Sequence, residues 1–188
     1  GAYSGSVGYY QQGISLAKKK KDKRQEGIAL KNLAFVYQEM EQTGKSAEVI
    51  LSSIEIFEQI GDSLLLGKSI FALGNLYLQL EDGPLARTYF AKSLDLTKNS
   101  GDELFVITLF QSIGESFRQE NQLDSALLFY QKSIQANTRS QDTLDFTLLR
   151  AQYHNLGLLY FEQRRLAQAR MGVEHRVLRR QRDVERLG

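Results

Sequence analysis

Apolar residues recur along most of the chain at spacings of three and four, as Ile70, Leu73, Tyr77 and Leu80 do, which sets them on one face of a helix. Between these stretches lie short polar segments, EQTGKS, EDGP and ENQLD, made largely of turn formers. Connections this short fold neighbouring helices back antiparallel. The pattern predicts an all-α chain with helices at about 25–41, 45–60, 65–81, 84–99, 103–120, 123–138, 146–163 and 166–186, preceded by one at about 4–21.

The chain is also self-similar with a period of 40. Tyr10, Ile50, Phe90 and Tyr130 fall in register, as do Ile14, Ile54, Leu94 and Ile134, and Asp22, Asp62, Asp102 and Asp142. Gly13, Ser53, Ser93 and Ser133 form a series of small residues. A second set runs Leu33, Leu73, Ile113, then Ala34, Gly74, Gly114, then Tyr37, Tyr77, Phe117, and reappears after three extra residues as Leu156, Gly157 and Tyr160. Each period is one helical hairpin. Gly74 and Gly114 on the first helix, with Ala86 and Ala126 on the second, let paired helices approach closely, while Tyr77 and Phe117 fill the space between adjacent hairpins. One hairpin cannot bury its apolar face alone, so stability comes from stacking and the end units are the weakest.

These residues resemble the tetratricopeptide repeat family, whose pattern is Leu-Gly-x-x-Tyr on the first helix and Ala, an aromatic and a second small residue on the second. Ile70, Leu73, Gly74, Tyr77, Ala86, Phe90 and Ser93 match in order, as do Phe110, Ile113, Gly114, Phe117, Ala126, Tyr130 and Ser133. Leu30, Leu33, Ala34, Tyr37, Ser46, Ile50 and Ser53 are a weaker copy; Tyr153, Leu156, Gly157, Tyr160, Ala169 and Val173 are a copy that ends early. The 40-residue period, with Gly61-Asp62 and Gly101-Asp102 closing the second helix, is similar to the variant of Pins-type adaptors, kinesin light chains and bacterial regulators. The resemblance implies a right-handed superhelical solenoid, one array over 1–188: a leading half-repeat at 4–21, then repeats at 25–61, 65–101, 103–141 and 146–188.

Two edges depart from the pattern. The helix around Tyr10 and Ile14 is a second helix without its mate, the mark of an array cut from a longer one, and seam residues such as Ile14 and Leu33 are then expected to be bare and to invite a homo-oligomer through the array ends. At the other end Arg176 stands where a small residue belongs. The run RVLRRQRDVERLG is either a polar capping helix with a Val173, Val177, Val184 and Leu187 stripe or sequence foreign to the array.

Composition narrows the function classes. A chain of 188 residues with 42% hydrophobic and 24% charged side chains folds rather than remaining disordered. No cysteine is present for a disulfide or thiolate metal site, and one proline is too few for a turn-rich all-β chain. No apolar run spans a membrane and GAYSGSVGYY does not read as a secretory signal, so the expected location is cytoplasmic. The chain has no GxxxxGK[ST], GxGxxG or HExxH motif, and His154 and His175 stand on different helices; the expectation is no enzyme, no metal and no cofactor.

In the resembling family the first helices line a concave groove. The groove positions carried onto this chain include Lys31, Phe35, Gln38, Lys68, Phe71, Asn75, Gln79, Gln111, Glu115, Arg118, His154 and Phe161, with Ile28, Thr108, Ala151 and Leu158 beside them. Long polar side chains near aromatic ones suit an extended peptide, its backbone held by Asn75 and Gln111 and its charges by Lys31, Lys68 or Arg118. The alternative for Phe35 and Phe71 is packing against a neighbouring helix. The family's clamp for Hsp70 and Hsp90 C-terminal tails is not expected: Lys31 matches its first position, but Phe35, Ala72, Thr108 and Ser112 stand at the others.

Residues 1–24 carry six basic and one acidic side chain, residues 25–163 ten and eighteen, and residues 164–188 eight and three. The acidic body argues against nucleic acid along the array. The run Lys18 to Arg24 is read either as a basic motif or as solvated cations at a helix C-terminus. The expected function is a non-catalytic scaffold binding a peptide or protein segment in its groove. The alternative is a ligand-peptide-responsive module of a bacterial signalling or transcription protein.

Overall fold

The computed structural model describes residues 2–139, 150 and 152–167. They form α1 (Ala2–Lys20), α2 (Lys23–Glu39), α3 (Thr43–Ile60), α4 (Ser63–Gln79), α5 (Gly83–Thr97), α6 (Glu103–Gln119), α7 (Leu123–Arg139) and α8 (152–167), with no strand among the described residues. The aspartates of the repeat are helix caps. The carboxylates of Asp22, Asp62, Asp82 and Asp102 accept the N–H groups of Gln25, Leu65, Leu85 and Phe105 at 3.0–3.1 Å, satisfying donors that have no partner inside the helix. Asp142 lies outside the described residues. Helix α3 ends at Gly61 as expected, but α5 stops earlier than expected, at Thr97 with Lys98 as its cap, and Gly101 lies in the connection to α6; the φ values of the two glycines, 69° and 77°, fall where a side chain would be strained.

Three hairpins, α2–α3, α4–α5 and α6–α7, stack in chain order, and α2, α4 and α6 lie side by side. Within each hairpin the seam varies in a compensated way. A Cβ on Gly74 would sit 2.6 Å from the Phe90 ring and one on Gly114 2.6 Å from the Tyr130 ring; where the second helix offers the smaller Ile50, the first helix carries Ala34. Tyr77 packs against the Ala34, Ile50 and Leu73 cluster on one side and the Ala86, Phe90 and Leu109 cluster on the other. Phe117 bridges the next two clusters in the same way. Tyr77 stacks on Tyr89 at 5.3 Å and Phe117 on Phe129 at 5.5 Å.

The small serines contribute polar bonds as well as space. Ser53, Ser93 and Ser133, all fully buried, donate to the carbonyls of Gly27, Gly67 and Ile107, each 26 residues earlier on the first helix. A hydroxyl thus spans every described hairpin, satisfied at the point of closest approach.

Three expectations need correction. Leu33 is 3% exposed, and Ile14 packs against the Leu30, Phe57 and Leu65 cluster, so neither is bare; Tyr3, Tyr9 and Leu16 are the exposed apolar residues of α1. The separate helices expected at 146–163 and 166–186 do not break at 164–165, because α8 runs unbroken through these residues. At the matching places the other first helices reach the left-handed residues Glu41, Glu81 and Asn121, followed by Gln42, Asp82 and Gln122. Arg164 and Arg165 stay helical where Glu41 and Gln42, Glu81 and Asp82, and Asn121 and Gln122 leave the helix. Finally, Gly157 has no heavy atom within 4 Å of where its Cβ would be and Tyr160 is exposed, so this copy of the signature makes no hairpin seam among the described residues. Ala169, His175 and the 171–188 run lie outside them.

Candidate functional site

The first helices α2, α4 and α6 line, with α1, an open cavity of about 400 Å³. Helix α2 supplies Lys31, Asn32, Phe35 and Gln38, α4 supplies Lys68, Phe71, Ala72 and Asn75, and Phe105 of α6 and Tyr10 of α1 close its ends. The spacing of three and four that sends Leu30, Leu33, Ala34 and Tyr37 into the core leaves Lys31, Phe35 and Gln38 on the neighbouring face.

Lys31 is half-buried and its ammonium donates to Asn32 Oδ1 at 2.9 Å. Burial, and secondarily the charge of Lys68, lower its pKa below the ordinary lysine value, so the site holds this cation at a cost. Lys68 is tied across to α6: its ammonium lies 2.6 Å from Asp102 and 5.4 Å above the Phe105 ring. Burial pushes the Asp102 carboxyl up, but the hydrogen bonds from Lys68 and the Phe105 N–H, with the Lys68 charge, outweigh it and hold the group below the usual range.

Phe71 takes the packing alternative in part, its ring 5.5 Å from Phe90 and edge-on to Phe105 at 5.3 Å while still lining the cavity. Phe35 does not: it is 62% exposed at the rim.

The other half of the expected groove is arranged differently. Arg118 donates to both carboxylate oxygens of Glu115 at 2.9 and 2.7 Å and to Glu162 of α8 at 2.9 Å, and the Tyr130 hydroxyl donates to Glu115 at 2.9 Å. The bonds and charge of Glu115 raise the Arg118 pKa, and burial followed by the Glu115 charge raises that of Tyr130. Burial alone would raise Glu115; the bonds from Arg118 and Tyr130 hold it low instead. This cation is already neutralised by its own chain. Gln79, Gln111, His154 and Phe161 do not line the cavity, and Ile28 packs in the Leu30 cluster.

The structure therefore gathers Lys31, Phe35, Gln38, Lys68, Phe71 and Asn75, and adds Tyr10, Asn32 and Phe105, which the sequence reading did not place in the groove. Tyr10 had a signal: a second helix without a mate leaves its seam residue open to that side. Half of the six cations of the basic run are paired, since Lys18 and Lys23 approach the buried Glu26 at 3.8 and 2.9 Å and Arg24 pairs with Asp62 at 3.1 Å, while Lys19, Lys20 and Lys21 are exposed. No group of three or more histidine, cysteine or acidic residues able to hold a metal occurs among the described residues, and none of their helices is long and apolar enough to cross a membrane.

Stacked hairpins with an open layer of first helices define an all-α helical repeat solenoid. Residues 69–139 match the tetratricopeptide repeat family model, so that stretch of the chain carries tetratricopeptide repeats. Two crystal structures share the fold. BtubC (BKLC) from P. vanneervenii aligns over 85% of this chain and 66% of its own at 18% identity and a TM-score of 0.73. The nearly identical TPR-like repeats of a kinesin-light-chain-like protein of Podospora anserina align over 89% and 82% at 14% identity and a TM-score of 0.65. The chain thus spans just under two thirds of BtubC. No curated protein matches it by sequence. Tetratricopeptide repeats generally mediate protein–protein interaction and are generally non-catalytic.

Proposed function

We propose that the chain is a non-catalytic interaction scaffold whose first-helix groove takes an extended peptide, anchored by an acidic group at Lys31 and an apolar side chain against Phe35. The observation that carries this reading is the half-buried Lys31 ammonium, crowded by Lys68 and facing an open cavity of about 400 Å³. A carboxylate entering there gains a charge-assisted bond and relieves the repulsion between the two lysines. Asn75 and Gln38 supply amide donors and acceptors of the kind that hold an extended backbone, and the exposed Phe35 ring offers apolar area without a partner.

A peptide-display library selected on the intact chain tests it. Acidic peptides with an aliphatic or aromatic neighbour should be enriched, and Lys31→Ala and Asn75→Ala, with unchanged thermal midpoints, should each weaken the selected peptides about tenfold or more. Equal binding by wild type and both variants, or enrichment of basic peptides, would sink the reading.

A further inference from the structure

We propose that Asp102 sets the charge selectivity of the groove: by holding Lys68 from outside the cavity, it restricts the ligand to a single acidic group, placed at Lys31. This rests on the peptide-binding reading of the groove and adds to it a residue that acts through another.

Among the described residues, two lysines and no acidic side chain line the cavity. Lys31 comes from α2 and Lys68 from α4, and both are partly buried. Left to themselves they present two positive charges to one ligand in a space of about 400 Å³, which suits two neighbouring carboxylates. Asp102 takes one of these charges away. Its carboxylate lies 2.6 Å from the Lys68 ammonium, and the two side chains are only 28% and 29% exposed, so water and salt screen the pair weakly. Asp102 itself does not line the cavity; it draws Lys68 from the α6 side, where the Phe105 ring lies 5.4 Å from the same ammonium.

The repeat explains how a residue outside the cavity comes to control it. Asp62 and Asp102 cap α4 and α6 alike, accepting the N–H groups of Leu65 and Phe105, and each also takes a cation from the preceding first helix. The two cations stand in different places. Arg24, in the first turn of α2, is 57% exposed and does not line the cavity, whereas Lys68, in the second turn of α4, does. The register position of Lys68 is Ile28 in α2 and Thr108 in α6, so of these three first helices α4 alone places a cation there. A ligand with one acidic group is met by Lys31 and leaves the Lys68–Asp102 pair intact. A second acidic group reaches Lys68 only by displacing Asp102, and the pair it breaks offsets the pair it makes.

A random peptide-display library selected in parallel on the intact wild-type chain and on variants tests this. Wild type should enrich peptides with one acidic residue. Asp102→Asn keeps the cap, because asparagine serves there as well as aspartate, and frees Lys68. Peptides with two acidic residues at adjacent or next-but-one positions should then rise about tenfold or more in the selected pool. Asp102→Ser, a second uncharged cap, should act in the same way. Adding Lys68→Gln to Asp102→Asn should restore the wild-type preference, an outcome that a merely structural role of Asp102 does not give. Glu103→Gln removes the same charge one residue away at an exposed position and should change nothing. A two-acid preference in wild type, unchanged selection by both Asp102 variants, a preference that survives the added Lys68→Gln, or the same gain in Glu103→Gln would each overturn the proposal and leave the groove reading standing. If Lys31→Ala selects acidic peptides as wild type does, or wild type selects none, the groove reading fails and this proposal with it.

Discussion

In α6 the signature Ile113, Gly114 and Phe117 is sealed by Tyr130 and Phe129 of α7, whereas the same signature in α8, Leu156, Gly157 and Tyr160, is covered by none of the described residues. What α8 shares with α6 is its packing on the preceding unit. Gln152 and Leu159 are buried, and Gln152 donates to Ser133 at 2.7 Å while accepting from Asn137 at 3.1 Å. A repeat signature therefore specifies a partner surface without supplying the partner, and burial depends on the neighbour.

The sharpest contrast between the two helices is expected at their aromatic residues. Phe117 packs against two clusters, stacks on Phe129 and lies under the Arg87 guanidinium at 4.3 Å, so Phe117→Ala should cost about 2–4 kcal/mol in urea unfolding. Tyr160→Ala in dilute solution should stay within about 0.5 kcal/mol. Comparable losses would erase the distinction.

The glycines should differ in sign. A methyl on Gly114 meets the Tyr130 ring and should destabilise by about 1–3 kcal/mol, while Gly157→Ala has open space and a better helix former and should stabilise by up to about 1 kcal/mol. Thermal melts of both variants at low concentration decide this.

Ser133 links the two regions through Ile107 O and Gln152. Ser133→Ala should cost about 1–2 kcal/mol, with α8 amides losing hydrogen-exchange protection before those of α6. Unchanged protection of α8 would show that Leu159 alone holds it.

The smallest effect is a pH dependence. The folded carboxyl of Glu115 is held below its unfolded value of about 4.3. Its contribution is therefore fully present above about pH 4.3 and lost as pH falls through the lower folded pKa. Because Glu115 orients Arg118 toward Glu162, α8 should loosen in that acid window before the interior hairpins, and Glu115→Gln should flatten the dependence. Hydrogen exchange at pH 3 and pH 6 measures the difference.

The helices from α2 to α7 were legible within about two residues because apolar periodicity and turn residues are local signals. The aspartate series was legible as a repeat, and the structure gives it a cause in the N-caps. Gly27 and Gly67 passed unnoticed although each backs directly on a second helix, at Phe57 and Thr97; nothing adjacent in sequence distinguishes such a glycine from one at an open site such as Gly8. The end of α8 was misread because the repeat register implied a turn that Arg164 and Arg165 do not make.

For the candidate groove the division is similar. The sequence by itself determined the helical faces and the hairpin pairing, since both follow from spacing along one chain. Only the tertiary structure decided which of the groove side chains stay available. Arg118 is consumed by Glu115 and Glu162, Lys68 by Asp102 and Phe71 by Phe90 and Phe105, while Lys31 and Phe35 face the cavity. Periodicity fixes the direction of a side chain on its own helix. Its partners belong to helices tens of residues away, and the distance between those helices is set by how glycine, alanine and aromatic residues share each seam.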